Sequence, residues 1–147
     1  MRLSSLQQAA PWLAQAVDDL ETATLLAPNR PYAACFYAQQ AAEKAVKVLY
    51  VANGLDFPWT HSVHQLLVDA TETYPEMLPF ADGAGVLDRY YVGTRYPDFR
   101  LNSTEPPSAA YSVAEARRAV ELAQSILQVC QNVYGQMVLR ANDRLGT

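Results

Sequence analysis

The sequence predicts an all-α protein, an antiparallel up-and-down bundle of four to five helices with a long C-terminal helix. Apolar residues recur three or four positions apart through most of the 147 residues, which is the period of a helix. Alternating runs of β-branched residues, typical of strands, are absent. The last apolar seam is longer than an average helix. We expect one domain over residues 1–147, with its helical core at about 11–140.

The composition indicates a folded globular chain, because half of the residues are hydrophobic and 18% are charged. A net charge of −4 argues against a protein that binds nucleic acid through its overall electrostatic potential, although it allows a local basic patch. No apolar run reaches the roughly 20 residues of a membrane span, and the N-terminal sequence lacks the apolar region of a secretory signal. We therefore expect a cytoplasmic protein in which Cys35 and Cys130 are buried free thiols.

The first helix is predicted from about Pro11 to Ala27. Pro11 suits a first helical turn, where its missing N–H is not needed. The predicted apolar face carries Leu13, Val17, Leu20 and Thr24. Acidic side chains are expected to point mostly away from that face, namely Asp18, Asp19 and Glu21. The sequence APNRP then ends the helix.

The second helix is predicted over residues 32–54 and combines two different faces. Small residues four and three apart form a stripe that another helix can approach closely: Ala34, Ala38, Ala41, Ala45, Val48 and Ala52. The opposite side carries a polar strip of Gln40, Glu43, Lys44 and Lys47. Asn53 and Gly54 tolerate a left-handed backbone and should end the helix.

Three further helices complete the predicted bundle. The third is short and starts after Ser62, which is placed as a helix cap. The fourth spans about Pro79–Arg95, and its interior glycines each cost about 1 kcal/mol relative to alanine, so we expect close packing or function to retain them. The last runs from Ser112 to about Arg140, and its seam comprises Val113, Ala116, Val120, Ala123, Leu127, Cys130, Tyr134 and Met137.

The segment YYVGTRYPDF, residues 90–99, crowds four aromatic rings around one arginine. On a helix, Asp88, Tyr91 and Arg95 share one face, and Arg89 lies to the side. A proline disfavours helical geometry at the residue before it, so the helix should end at Tyr96. The boundary between helix and loop then carries Arg95, Tyr96 and Asp98.

Two interpretations of this boundary remain open. A guanidinium beside aromatic faces suits a phosphate and a stacked base, which makes Arg95 a candidate ligand-binding residue. Alternatively, Arg95 pairs with Asp88 or Asp98, and the tyrosines fill space between helices.

Other sequence features offer little catalytic chemistry. His61 and His64 are three positions apart, but no third metal ligand stands near them, so we expect no metal. Glycine-rich phosphate loops, nucleophile elbows and paired-carboxylate motifs are absent from the sequence, and we expect no cofactor.

The order and spacing of four segments resemble a HEPN domain, the higher eukaryotes and prokaryotes nucleotide-binding family. These are CFYAQQAAEKAVKVLY (35–50), THSVHQLL (60–67), LDRYYVGTRYPD (87–98) and the long alanine-rich last helix. The resemblance covers about Trp12–Tyr134. It implies an all-α bundle that usually forms a homodimer, and a prokaryotic context in which a minimal nucleotidyltransferase is the partner in a toxin–antitoxin pair.

The chain departs from the ribonuclease members that it resembles, in which four to six residues separate an arginine from the histidine that follows it. The corresponding positions are Arg100, Leu101 and Asn102 after Arg95, and Thr94, Arg95 and Tyr96 after Arg89. The resemblance is to the RYPD type, for which nucleotide, nucleic-acid or partner binding is implied. Whether the chain is an enzyme stays open.

We therefore expect a homodimeric module that binds a nucleotide or RNA, with a minimal nucleotidyltransferase as partner. The candidate ligand-binding residues are Arg89, Tyr91, Arg95, Tyr96, Asp98, Lys44 and Lys47. The small-residue stripe and the glycine-rich fourth helix favour the dimer. We expect Glu43 and the two lysines to line the cleft of Arg95, unless the polar strip faces solvent. The alternatives are a ribonuclease toxin that uses Arg89, Arg95, Tyr91 and Asp98, and a helical scaffold without ligand.

Overall fold

A computed structural model describes residues 3–99 and 103–146, and all regular structure in these ranges is helical. The predicted fold class is therefore confirmed. The α-helices are α1 (Ser5–Leu26), α2 (Pro31–Ala52), α3 (Val63–Ala70), α4 (Leu78–Asp88), α5 (Tyr90–Gly93) and α6 (Val113–Gly146). Short 3₁₀ turns occupy Pro75–Met77, Pro97–Phe99 and Pro107–Ala109. None of the described helices is long and apolar enough to cross a membrane.

The first helix begins at Ser5, earlier than predicted. Ser4 forms a capping box, in which its Oγ accepts from the Gln7 backbone N–H at 3.1 Å and its own N–H donates to Gln7 Oε1 at 2.9 Å. Pro11 therefore lies inside α1 and not in the first turn. The prediction was wrong because the polar cap upstream starts the helix before the apolar pattern becomes visible.

Helix α2 forms the centre of the bundle and packs against both α1 and α6. The small-residue stripe on α2 is buried within the single chain. Small side chains let neighbouring helices approach closely, so the stripe serves packing inside the domain. It consequently gives no argument for a dimer, which rests on other grounds. As predicted, α2 ends at a left-handed glycine, Gly54, with φ of +69°.

The predicted fourth helix is interrupted at Arg89, which separates α4 from α5. Just before that interruption, the Asp88 carboxylate accepts two hydrogen bonds from the start of α3. The donors are the Ser62 hydroxyl at 2.7 Å and the Val63 backbone N–H at 2.6 Å. The C-terminal end of the predicted helix is also tighter than an α-helix, since the N–H of Arg95 donates to the carbonyl of Val92, three residues back.

The glycines of this region differ in their surroundings. A Cβ on Gly93 would lie 2.9 Å from both the Phe99 ring and the Tyr111 hydroxyl, so close packing explains this glycine. A Cβ on Gly83 would lie 3.0 Å from the Leu122 side chain, whereas Gly85 faces open space. The expectation of close packing thus holds for Gly93 and Gly83, and nothing in the structure explains Gly85.

The long last helix supplies the other wall of the core. Its seam is confirmed at Ala116, Ala123, Leu127 and Cys130, all of which are buried. The second thiol, Cys35, is buried on α2, and both cysteines are free. Burial raises the pKa of each thiol to about 12, with the Glu115 carboxylate adding to the effect at Cys35.

Candidate functional site

The Tyr91 ring lies at the centre of a cluster of aromatic and cationic side chains. The guanidinium carbon of Arg95 is 4.5 Å from the centroid of this ring, and the His61 imidazole stacks on the ring with centroids 4.0 Å apart and planes 16° apart. Arg95 also lies 5.1 Å from the Phe36 ring and 5.5 Å from the Tyr96 ring. We call these five residues the Arg95 cluster.

The position of Arg95 follows from the end of α5. Its Nε donates to the Tyr91 carbonyl at 2.7 Å, which holds the guanidinium above the Tyr91 side chain. Arg95 is exposed, and Tyr96, whose ring centroid lies 5.5 Å from the guanidinium carbon, is 53% exposed. An exposed guanidinium beside an accessible ring can contact a phosphate and a flat base at the same time.

His61 reaches the cluster from the loop between α2 and α3. Its backbone carbonyl accepts a hydrogen bond from Gln39 Nε2 at 3.0 Å, which ties the loop to α2. Its Nδ1 lies 3.1 Å from Glu43 Oε1. The His61 side chain is 55% exposed and that of Glu43 only 7%, so a buried carboxylate orients an accessible imidazole.

The Glu43 carboxylate has further partners inside the domain. Lys47 Nζ lies 3.4 Å from Oε2, and Gln39 Nε2 lies 3.3 Å from Oε1. The Lys47 ammonium also lies 4.5 Å from the centroid of the Phe57 ring. Glu43 and Lys47 are both buried, so the alternative in which the polar strip faces solvent is wrong at these two positions.

The other lysine of the strip is directed toward α1. Lys44 Nζ forms a 2.7 Å ion pair with Asp19 and lies 3.1 Å from Gln40 Oε1. Asp19 is 4% exposed, so the prediction that it points away from the core is wrong. The ion pair with Lys44 compensates the burial of its charge.

The structure thus brings together only part of the predicted site. Tyr91, Arg95 and Tyr96 belong to one cluster, and Glu43 joins them through His61. Lys47 contacts Glu43 rather than the cluster itself. Arg89 instead lines a groove of about 260 Å³ with Tyr90, Phe99, Ala110, Tyr111 and Glu115. Asp98 lies exposed in the turn that follows the cluster.

The acidic residues near Arg95 in sequence do not form ion pairs with it within the part of the chain that the structure describes. The Asp88 carboxylate is engaged at the start of α3, where Ser62 and Val63 donate to it. Among the residues that the structure describes, the ion pairs within 4.0 Å do not include Arg95. The alternative that assigned Arg95 to a salt bridge with Asp88 or Asp98 is therefore wrong.

The family is settled by comparison with known proteins. The profile of the HEPN domain matches residues 9–133 of the chain. The chain belongs to the HEPN domain family.

Solved structures of similar proteins agree with this HEPN assignment. TT1696 from Thermus thermophilus is 40% identical, with a TM-score of 0.76 over 85% of this chain and 97% of that one. ST0689, an archaeal HEPN homologue, is 31% identical, with a TM-score of 0.69 over 86% and 97%. A HEPN domain protein from Thermotoga maritima is 30% identical, with a TM-score of 0.66 over 84% and 97%.

A more distant relative carries a functional name. The Methanocaldococcus jannaschii protein named "Putative toxin MJ1304" is 22% identical over 138 residues, which cover 87% of this chain and 89% of that protein.

His61 and Phe36 are the members of the Arg95 cluster that sequence reasoning missed. No histidine follows Arg95 in the sequence, but the fold brings His61 from an earlier loop to the Tyr91 ring that Arg95 also contacts. His64, its neighbour in sequence, has a different environment, since its Nδ1 donates to the Ala81 carbonyl at 2.7 Å. In residues 3–99 and 103–146, no group of three or more His, Cys, Asp or Glu side chains is gathered as for a metal ion.

Proposed function

We propose that this HEPN domain binds a nucleotide or an RNA phosphate at the Arg95 cluster. The observation that carries the proposal is the exposed guanidinium of Arg95, which is held over the Tyr91 ring and is not neutralised by any described carboxylate. Arginine binds phosphate oxygens through its fork of donors, and aromatic rings stack on bases. The cluster is local, so it is compatible with the acidic net charge of the chain.

We further propose that the domain acts in the cytoplasm as a homodimer with a minimal nucleotidyltransferase as partner, in a toxin–antitoxin pair. The family and the toxin name of the M. jannaschii relative support this context. Large apolar side chains around the loop of His61 support an association surface, because Trp59 is fully exposed and Leu55 is 56% exposed. Sedimentation at tens of micromolar protein tests the dimer, and a monomer at that concentration would contradict it.

Titration of a fluorescent single-stranded RNA and of ATP into wild type and Arg95→Ala tests the binding site. We expect the variant to weaken binding by about 1–3 kcal/mol, the scale of a lost charged hydrogen bond, which is about 5- to 150-fold in Kd. The melting temperature should change little, because Arg95 is exposed and its contacts are on the surface.

Arg140→Ala is the matched control. Arg140 is exposed near Ala52 at the end of α2, about 24 Å along that helix from Phe36 at 1.5 Å per residue. Arg140→Ala removes the same charge from the chain as Arg95→Ala does and should leave Kd unchanged. Equal affinity of wild type and Arg95→Ala would contradict the site, and a wild type that binds neither probe would favour a scaffold without ligand.

A further inference from the structure

A cavity of about 220 Å³ lies where α2 and α3 end, away from the Arg95 cluster. Its lining combines aromatic, apolar and acidic side chains, among them Tyr50, Tyr74, Leu49, Leu55, Asp69 and Glu72. Tyr50 and Phe36 of the Arg95 cluster both belong to α2, and at 1.5 Å per residue they are about 21 Å apart along this helix. A ligand in this cavity would therefore occupy a site separate from the proposed nucleotide or RNA site.

The two tyrosine side chains of the cavity are fixed by hydrogen bonds to three helices. The Tyr50 hydroxyl donates to the Leu66 carbonyl of α3 at 2.8 Å. The Tyr74 hydroxyl accepts from Asn53 Nδ2 at the end of α2 at 2.8 Å and lies 3.5 Å from Met137 Sδ of α6. Because the rings are already held in place, a ligand does not have to order them on binding.

The acidic side chains of the cavity are not neutralised by basic ones. Among the described residues, the ion pairs within 4.0 Å include neither Asp69 nor Glu72. Asp69 is half-buried, and its Oδ1 accepts a hydrogen bond from the neutral amide of Gln65 at 2.9 Å. Burial raises the pKa of Tyr50 to about 12, and the charges of Asp69 and Glu72 add to that increase, so the field of both carboxylates reaches the cavity wall.

The ends of two helices add to this negative potential. Helix α2 ends at Ala52 and α3 at Ala70, and residues next to both ends line the cavity. The C-terminal end of a helix carries the negative end of the helix dipole, which basic side chains in the last turn often offset. Neither α2 nor α3 has a basic residue in its last turn. The helix ends and the carboxylates therefore favour a cation in this cavity.

We propose that the cavity binds a small organic cation, namely a primary alkylammonium ion such as an aliphatic diamine. A primary ammonium group has three N–H donors, which the carboxylates of Asp69 and Glu72 can accept. The tyrosine rings offer faces for a cation–π contact, and Leu49 and Leu55 offer apolar surface to the alkyl chain. This inference is independent of the proposed function.

Two other occupants fit the cavity less well. A metal ion is disfavoured because residues 3–99 and 103–146 gather no group of three or more His, Cys, Asp or Glu side chains that could hold one. A lysine side chain of a partner protein carries the same ammonium group. A stable protein partner, however, requires a contact surface much larger than this cavity.

The test is NMR titration of isotope-labelled wild-type protein with cadaverine in the absence of RNA. We expect saturable chemical-shift changes at Tyr50, at Leu55 and over residues 69–74, with little change at Arg95. Pentanol has the same number of carbons without the charge, and sodium chloride at matched ionic strength supplies charge without the alkyl chain. Neither should produce saturable changes at these residues.

The variant with both Asp69→Asn and Glu72→Gln removes the two charges and keeps the side-chain shapes. Its Kd for cadaverine should be about tenfold higher or more, because two charged hydrogen bonds of partly exposed groups are lost. The matched control carries Asp18→Asn and Glu21→Gln, which have the same spacing on α1, are exposed and do not line the cavity. This control should bind cadaverine as wild type does. The single variant Glu72→Gln changes an exposed side chain and should raise Kd about threefold.

The outcomes also separate a free ligand from a partner protein. Absence of saturable changes with cadaverine, or equal Kd values in wild type and the Asp69→Asn, Glu72→Gln variant, would overturn the proposal. A short lysine-containing peptide with blocked ends is the second probe. Tighter binding of this peptide than of cadaverine at the same residues would also overturn the proposal and would assign the cavity to a protein partner. Cadaverine binding that is weakened in the Asp69→Asn, Glu72→Gln variant and retained in the control is the predicted result.

Discussion

Replacement of Asp88 by alanine should loosen the start of α3 and leave the Arg95 cluster intact. The half-buried Asp88 carboxylate accepts the Ser62 hydroxyl at 2.7 Å and the Val63 backbone N–H at 2.6 Å. Alanine would leave both donors without this acceptor. The change therefore tests whether the acidic residue nearest in sequence to the arginines serves the fold or the site.

The magnitude follows from the number and type of these bonds. A hydrogen bond to a charged group contributes about 1.5–3 kcal/mol, and partial exposure together with the remaining Ser62–Gln65 cap reduces the total. We expect a loss of about 2–4 kcal/mol in the free energy of unfolding. For a domain of this size, about 2–4 °C per kcal/mol gives a melting temperature lowered by about 5–15 °C.

Thermal melts of wild type, Asp88→Ala and Asp82→Ala measure the effect, with RNA titration of each protein at a temperature where it is folded. Asp82 is exposed on the same helix and its replacement removes the same charge, so its variant should melt with wild type. Asp88→Ala should bind RNA as wild type does. An unchanged melting temperature together with a loss of binding would contradict the structural role of Asp88 and would assign this residue to the binding site.

Two further predictions concern packing and titration. Gly93→Ala should lower the free energy of unfolding by about 1–3 kcal/mol, because its Cβ would lie 2.9 Å from the Phe99 ring. Gly85→Ala, where the Cβ would face open space, should raise that free energy by up to about 1 kcal/mol. Chemical denaturation measures both changes, and changes of the same sign in the two variants would contradict this prediction. The pKa values of Cys35 and Cys130 are raised from 9.0 to about 12, so their contribution to stability is full below pH 9 and is lost between pH 9 and 12. In the variant with both Cys35→Ala and Cys130→Ala, the free energy of unfolding should fall less steeply between pH 9 and 12 than in wild type. An unchanged slope would argue against buried thiols.

The fold could be predicted because apolar periodicity reports packing directly. The small-residue stripe of α2 is buried, and the seam of the last helix is buried at Ala116, Ala123, Leu127 and Cys130. Helix ends were less predictable where a polar cap sets them. Ser4 caps α1 before any apolar pattern is visible, and Asp88 accepts a hydrogen bond from Ser62 at the start of α3, which is far away in sequence.

The site could be predicted only in part, because its members come from segments that are distant along the chain. Local spacing correctly grouped Tyr91, Arg95 and Tyr96 at the end of one helix. Periodicity treats a charged residue as outward-facing, and so it missed the ion pair of the buried Asp19 with the half-buried Lys44. The meeting of His61 with the cluster depends on the path of a loop, which residue spacing does not encode.

The most direct test of the central claim is to map the ligand contacts of wild-type protein by NMR during titration with a single-stranded RNA. We expect the largest chemical-shift changes at the side chains of the Arg95 cluster, including Arg95 Nε–H and the His61 ring, with little change around Arg140. Changes centred on the groove of Arg89, or absence of saturable changes at the Arg95 cluster, would contradict binding at this cluster.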